Sequence, residues 1–167
     1  MKKMKSKTFL QPTIKDKQEL LSLYQSMIGT EGCTWTEDYP NEEILENDVK
    51  RQAIFVMKNE KNEIIGTISI DDDKEVDRLA CWSDNLKPAA ELARLAIKSD
   101  YQNQGLARLM LQKTMEELKK RNYKGVHFLV SKTNRKALHS YAKLNFEKRG
   151  ESNLYGEEWW CYEKELV

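Results

Sequence analysis

Cysteine, histidine and proline are scarce in this chain of 167 residues, at three, two and three copies. Cys33, Cys81 and Cys161 are far apart, odd in number and free of C-x-x-C spacing, which argues against a disulfide framework or a zinc site. A reducing, cytoplasmic location fits this usage, and no metal site is expected. His127 lies in an apolar strand and His139 on a helix; with no G-x-S-x-G, a Ser-His-Asp triad has no support, and both read as structural. Charge of one sign is also missing: 28 Lys and Arg face 27 Asp and Glu, a formal net charge of +1. That balance argues against a surface built to neutralise nucleic-acid phosphates. No apolar run approaches the roughly 20 residues that span a bilayer, so no membrane partner is expected. Residues 1–7 hold four lysines but no apolar h-region follows, so they read as a flexible tail rather than a signal peptide. There is no internal repeat and no low-complexity segment.

What remains is an ordinary mixture, 40% apolar and 33% charged, of a length that suits one domain over residues 8–167. Phe9 to Leu10 reads as a short strand, and Asp16 to Met27 as a helix with Leu20, Leu23, Tyr24 and Met27 at helical spacing. A loop over residues 28–39 precedes a second helix opening at Pro40 or Asn41. Strands are expected over residues 53–58 and 63–70, joined by a turn at Asn59 to Asn62. Glu91 to Ile97 is almost continuously apolar after Glu91, as a central strand would be. Leu106 to Arg121 is the strongest helical pattern, followed by a strand over 126–130 and a helix from Thr133 or Asn134. Asn145 stands where a left-handed residue closes that helix. Two closing strands, 147–152 and 159–165, flank a turn at Gly156, and Trp159-Trp160 should point one ring into the core. This order implies an α/β or α+β fold with a sheet of mixed direction.

The sharpest chemical feature is Gln102-Asn103-Gln104-Gly105-Leu106-Ala107, set between the central strand and the long helix. A glycine there lets backbone approach a ligand closely. Free N–H groups of the first helical turn, with the helix dipole, favour a phosphate. A phosphate-bearing cofactor is the expectation.

Residues 91–146 resemble the GNAT superfamily of N-acetyltransferases. The resemblance rests on two motifs: Gln102 to Ala107, and Asn134, Ala137, Tyr141 and Asn145-Phe146, which follow the pattern N-x-x-A-x-x-x-Y-x-x-x-G-F. Gln102 stands where Arg is commoner, and Ala107 and Asn145 where Gly is. The resemblance implies a mostly antiparallel central sheet flanked by helices, and acetyl-CoA as cosubstrate. It implies that Gln102, Asn103, Gln104, Gly105, Leu106 and Ala107 hold the pyrophosphate. Main-chain groups of Leu95 and Ile97 would pair with the pantetheine arm as an added strand. Asn134, with Ala137 beside it in the same motif, would reach the pantetheine or its thioester end.

Direct attack of an amine on a thioester needs a base, an oxyanion contact and an acid for the leaving thiolate. The resemblance makes Tyr141 the candidate acid and Glu91 the candidate base, with the N–H of Ile97 as the oxyanion contact. Trp35, Tyr39 and Trp82, with acids such as Glu31, Glu37 and Asp38, are candidates to hold a cationic amine. Tyr155 or Trp159 from the closing hairpin is a further candidate. The acceptor is expected to be a primary amine of a small molecule or peptide. Two rival readings are a different acyl-CoA on the same fold and a CoA-binding regulatory module without turnover. Homodimerisation is left open by the sequence.

Overall fold

The computed structural model describes residues 7–167, the side chain of Ser140 aside. Of the tail expected over residues 1–7, all but Lys7 lies outside the described residues.

A seven-stranded sheet runs in the order β1-β2-β3-β4-β5-β7-β6, with β1 at Thr8–Leu10, β2 at Ile54–Lys58, β3 at Ile64–Asp71, β4 at Ala89–Ile97, β5 at Gly125–Ser131, β6 at Glu147–Leu154 and β7 at Glu157–Glu165. Every neighbouring pair is antiparallel except β4 and β5. Five helices decorate it: α1 (Lys17–Met27), α2 (Glu42–Lys50), the short α3 (Lys74–Asp77), α4 (Leu106–Lys120) and α5 (Arg135–Ala142).

Strand alternation divides the core between the two faces. Phe55 and Met57 of β2 turn towards α4, whose Leu106, Met110, Leu111 and Leu118 are buried at helical spacing. Ile54 and Val56 turn the other way, onto Leu20, Leu23 and Tyr24 of α1 and Leu45 of α2. Gly66 of β3 lets α4 come close: a Cβ there would stand 2.6 Å from the Met110 sulfur. The sequence expectation of a mixed, mostly antiparallel sheet flanked by helices matches this architecture.

Three local differences matter. The closing hairpin is longer than its pattern suggested, because Tyr155 joins Gly156 in a turn with both φ values positive, at 58° and 75°. Neither Trp159 nor Trp160 is buried; Trp160 is covered instead by Lys132 and Lys148, 4.4 and 3.9 Å from its ring centre. The segment before β4, read as irregular, contains α3 and a short 3-10 turn at Asp84–Leu86.

Candidate active site

The parallel contact between β4 and β5 is short. It pairs Ala89 with Gly125, Ala90 with Val126 and Glu91 with His127, and then stops. Beyond that point β4 stays on β3 as far as Ile97, and β5 stays on β7 as far as Ser131. Each strand keeps its outer partner while the two part from each other, and a wedge opens between them. The cause is a bulge in β4. Three steps from Ala93 to Ala96 face two steps from Ser69 to Thr67, and Arg94 takes a left-handed φ of 52°. An extra residue of this kind bends and twists its strand.

The main chain past the bulge is aimed into the wedge. The Lys98 N–H bonds the Ile65 carbonyl on β3 at 2.9 Å, so by antiparallel alternation Ile97 and Leu95 direct their main-chain groups the other way. The Ile97 carbonyl already accepts from Gln102 Nε2 at 2.9 Å. Gln102 thus ties the loop to the strand end, and Gln104 Nε2 bonds the Asp100 carbonyl at 3.2 Å. Asn103 and Gly105 both take positive φ, 62° and 78°. Nothing lies within 4 Å of where a Gly105 Cβ would be, so that glycine answers to backbone angle and leaves open space. The first α4 bond is from the Leu109 N–H to the Gly105 carbonyl, leaving the N–H groups of Leu106 and Ala107 ahead of it. No side chain caps α4 and no acid stands in its first turn, whereas Asn41 caps α2 and Asn134 caps α5. These features suit a pyrophosphate.

The wedge holds a cavity of about 210 Å³ lined by Leu95 of β4, Phe128 and Val130 of β5, and Asn134, Ala137 and Tyr141 of the following turn and helix. Asn134 Oδ1 accepts the Ala137 N–H at 3.1 Å as the helix cap. The loop after α1 crosses here, and Gly32, at φ 77°, touches Asn134 so closely that a Cβ would sit 2.7 Å from its Cγ. Tyr141 rests against Phe128, ring centres 4.5 Å apart, and burial pushes its phenol up to about 12.

A second, larger cavity of about 1090 Å³ opens on the α1–α2 face. Eight carboxylates line it against two basic side chains, Lys50 and Arg94. Arg94, its side chain 3% exposed, donates to both Asp48 oxygens, to Asp71 at 3.1 Å and to the Tyr39 hydroxyl at 3.1 Å. Glu91 is 6% exposed, and its Oε1 has no hydrogen-bond partner among the described residues. Burial, with repulsion from Asp71, Asp73 and Asp77, pushes the Glu91 carboxyl up to about 9, against a smaller opposing pull from Arg94. Trp35, Leu92, Ala93, Arg94, Leu129 and Trp159 are among the residues that line both cavities. The two spaces therefore meet at the β4 bulge.

Of the residues singled out from sequence, Trp35 and Tyr39 come to the groove with Glu91, as do Tyr155 and Trp159. Trp82 does not: its indole stacks on His127 at 4.3 Å and its N–H bonds the Val76 carbonyl at 2.7 Å. Arg94, Asp48 and Asp71 went unnoticed. Arg94 is the one charge inside the run Leu92 to Ile97, and Asp48 falls beside Leu45 and Val49 on the inner face of α2. Those two anomalies were the available signal.

The acetyltransferase (GNAT) family model matches residues 20–146. No curated protein matches the sequence. Among solved structures, a GNAT-family acetyltransferase from Streptococcus pneumoniae superposes with a TM-score of 0.74 at 19% identity, covering 96% of this chain and 99% of that one. The ribosomal-protein-S18-alanine N-acetyltransferase of Escherichia coli gives 0.72 at 17% identity, over 96% and 94%. The PaiA N-acetyltransferase of Thermoplasma acidophilum, in complex with coenzyme A, gives 0.70 at 19%, over 96% and 99%. Likeness at such identities shows the fold alone.

Proposed function

Since the chain belongs to the GNAT acetyltransferase family, we propose that it moves an acetyl group from acetyl-CoA to a primary amine by direct attack. The observation that carries this reading is the meeting of the two cavities at the β4 bulge, beside Glu91 and within reach of the wedge that holds Tyr141.

Backbone N–H groups of residues 104–107, at the uncapped start of α4, receive the pyrophosphate. Leu95 and Ile97 offer main-chain groups to the pantetheine arm, and Asn134 and Ala137 form the far wall. Bound acetyl-CoA supplies an activated acetyl thioester, whose acyl carbon bonds the acceptor nitrogen as its bond to sulfur breaks. Glu91 takes one proton from the entering ammonium; the nitrogen loses a second to water as the amide forms. An ammonium near 10 and a carboxyl near 9 make the first transfer close to balanced. Ile97, expected from the sequence as the oxyanion contact, lines neither cavity, so the charge that develops on the acyl oxygen falls to a main-chain N–H nearer the bulge, such as that of Leu95. Tyr141 gives its proton to the departing sulfur and recovers one from water.

No helix among the described residues is long and apolar enough to cross a membrane. The three cysteines are free, as a reducing compartment would leave them. The deciding experiment is calorimetric titration with acetyl-CoA followed by a thiol-release assay against amines. Micromolar binding with release supports the reading. Absence of binding removes it, and binding without release from any amine favours a regulatory module.

A further inference from the structure

The groove on the acceptor side carries more negative charge than its own structure neutralises. Of its eight carboxylates, Asp48 and Asp71 are paired with Arg94, Asp72 with Arg51 and Glu46 with Lys17. Glu43, Asp73 and Glu157 have no cationic partner among the described residues, and nor has Glu91, which adds charge only once it gives up its proton. This local excess sits in a chain whose formal net charge is +1, so it is a property of the groove and not of the composition.

A second observation points to a ligand. Glu91 lines the groove while nine-tenths buried, and its Oε1 is unsatisfied. A buried polar atom without a partner is costly, and an amine in the groove would supply one. The remaining unpaired acids are spread over two walls. Glu43 projects from α2, whereas Asp73 and Glu157 flank the tip of the closing hairpin, where the Tyr155 hydroxyl donates to Asp73 at 2.7 Å. The same groove is lined by apolar and aromatic side chains as well, among them Trp35, Ile44, Leu92 and Trp159. Unpaired carboxylates set among apolar and aromatic side chains are the complement of methylene chains that carry ammonium groups.

We propose that the acceptor is a linear polyamine: one terminal ammonium meets Glu91 at the β4 bulge, and its other nitrogens are drawn by Glu43 on one wall and by Asp73 and Glu157 on the other. This rests on the acetyl-transfer reading and narrows it. The hairpin tip, tied to Asp73, fences the groove, which favours a slender small molecule over a folded basic surface.

The test compares spermidine, hexylamine and a lysine-rich hexapeptide as acceptors in the thiol-release assay. Spermidine should exceed hexylamine in kcat/KM by about tenfold or more, an advantage that shrinks between about 50 and about 500 mM salt. In a Glu43→Gln/Glu157→Gln double variant the spermidine KM should rise about fivefold or more, with acetyl-CoA affinity and melting temperature retained to show that the fold is intact. Equal use of hexylamine and spermidine overturns the polyamine assignment while leaving acetyl transfer in place. So does a preference for the peptide. Release from no amine at all, with acetyl-CoA still bound, overturns the transfer reading itself and this inference with it.

Discussion

Arg94 grips Asp48 from the bulge of β4, with Nη2 2.9 Å from each carboxylate oxygen and Nε 3.1 Å from one of them. The pair joins the strand that bends open the wedge to the helix that walls the groove. Both side chains are almost wholly buried, 3% and 1% exposed. Asp71 and Arg51 complete the network. Removing one member of a buried pair costs about 3–5 kcal/mol when the other charge is left alone, and for Arg94 the Asp71 carboxylate offsets part of that. Asp48→Ala is therefore expected to lower the melting temperature by about 10 °C, taking the usual 2–4 °C per kcal/mol for a chain of this size. It should also weaken acetyl-CoA binding, because the bulge that aims Leu95 and Ile97 into the wedge loses its anchor. Thermal unfolding and calorimetry on the same variant read both effects. A melting temperature within about 2 °C of the parent would show that the network is not structural.

The contrast between Arg94 and Gly105 shows what a single sequence can reveal. The turn at Gly105 is local: strand, glycine and helix start are consecutive, so its geometry is legible in six residues. Asn145 was legible for the same reason, and it does take a left-handed φ of 62°. Arg94 depends on partners 46 and 23 residues away, and a charged residue in an apolar strand gives no hint of where those partners lie. The acidic groove is likewise assembled from α2, β3, the hairpin and β4, no one of which is unusual alone. Trp82 misled because aromatic residues in an irregular segment suggest a binding loop, whereas here the ring fills a small core with Val76 and Cys161.

As the proposed base, Glu91 would link catalysis to stability with opposite signs. Its carboxyl rises from an ordinary 4.5 to about 9 in the folded protein, first by burial and then by Asp71 on β3 and Asp73 and Asp77 beside it, with Arg94 of the same strand opposing. His127 stands opposite on β5, and Tyr155 approaches from the hairpin. A raised folded value means that the folded state holds its proton more tightly than the unfolded chain. The stabilisation is complete below about pH 4.5 and is lost as pH rises towards 9, by at most about 1.4 kcal/mol per pH unit. Glu91→Gln, which never ionises, should therefore gain stability relative to the parent as pH rises from 5 to about 9. The same variant should lose about 10²–10⁴-fold in kcat/KM, with the rising limb of its pH profile moving up towards the acceptor's own ammonium near 10. Unfolding scans at both ends of that range, with pH–rate profiles, test the two halves. Parallel pH–stability curves, or an unchanged rising limb, would remove Glu91 as the base.

The proposed anion site turns on Gly105. Its φ of 78° is disfavoured for any side chain, and the space beyond it is empty of protein. Gly105→Ala should cost about 1–2 kcal/mol of stability through the left-handed angle alone. Gly105→Glu adds a carboxylate where a pyrophosphate is expected, so acetyl-CoA affinity should fall by about a hundredfold or more beyond the alanine variant. Calorimetry on the pair separates strain from charge. Tight binding by the glutamate variant would place the pyrophosphate elsewhere.

Tyr141 is held as a neutral phenol. Burial alone pushes it up to about 12, so it stays protonated across the working range, as the proposed donor must, and no falling limb is expected below about pH 11. Its ring is fixed by Phe128 and Phe146, at 4.5 and 6.0 Å between centres, and a phenylalanine would keep both contacts. Tyr141→Phe is therefore a clean deletion of one hydroxyl. It should lower kcat by about 10²-fold or more while leaving acetyl-CoA affinity and melting temperature near the parent values. An acyl donor with a more acidic leaving group, such as an aryl thioester, needs no proton at sulfur and should narrow the gap between variant and parent. If turnover with acetyl-CoA is unchanged in the variant, the hydroxyl takes no part in the reaction and Tyr141 is a packing residue of α5.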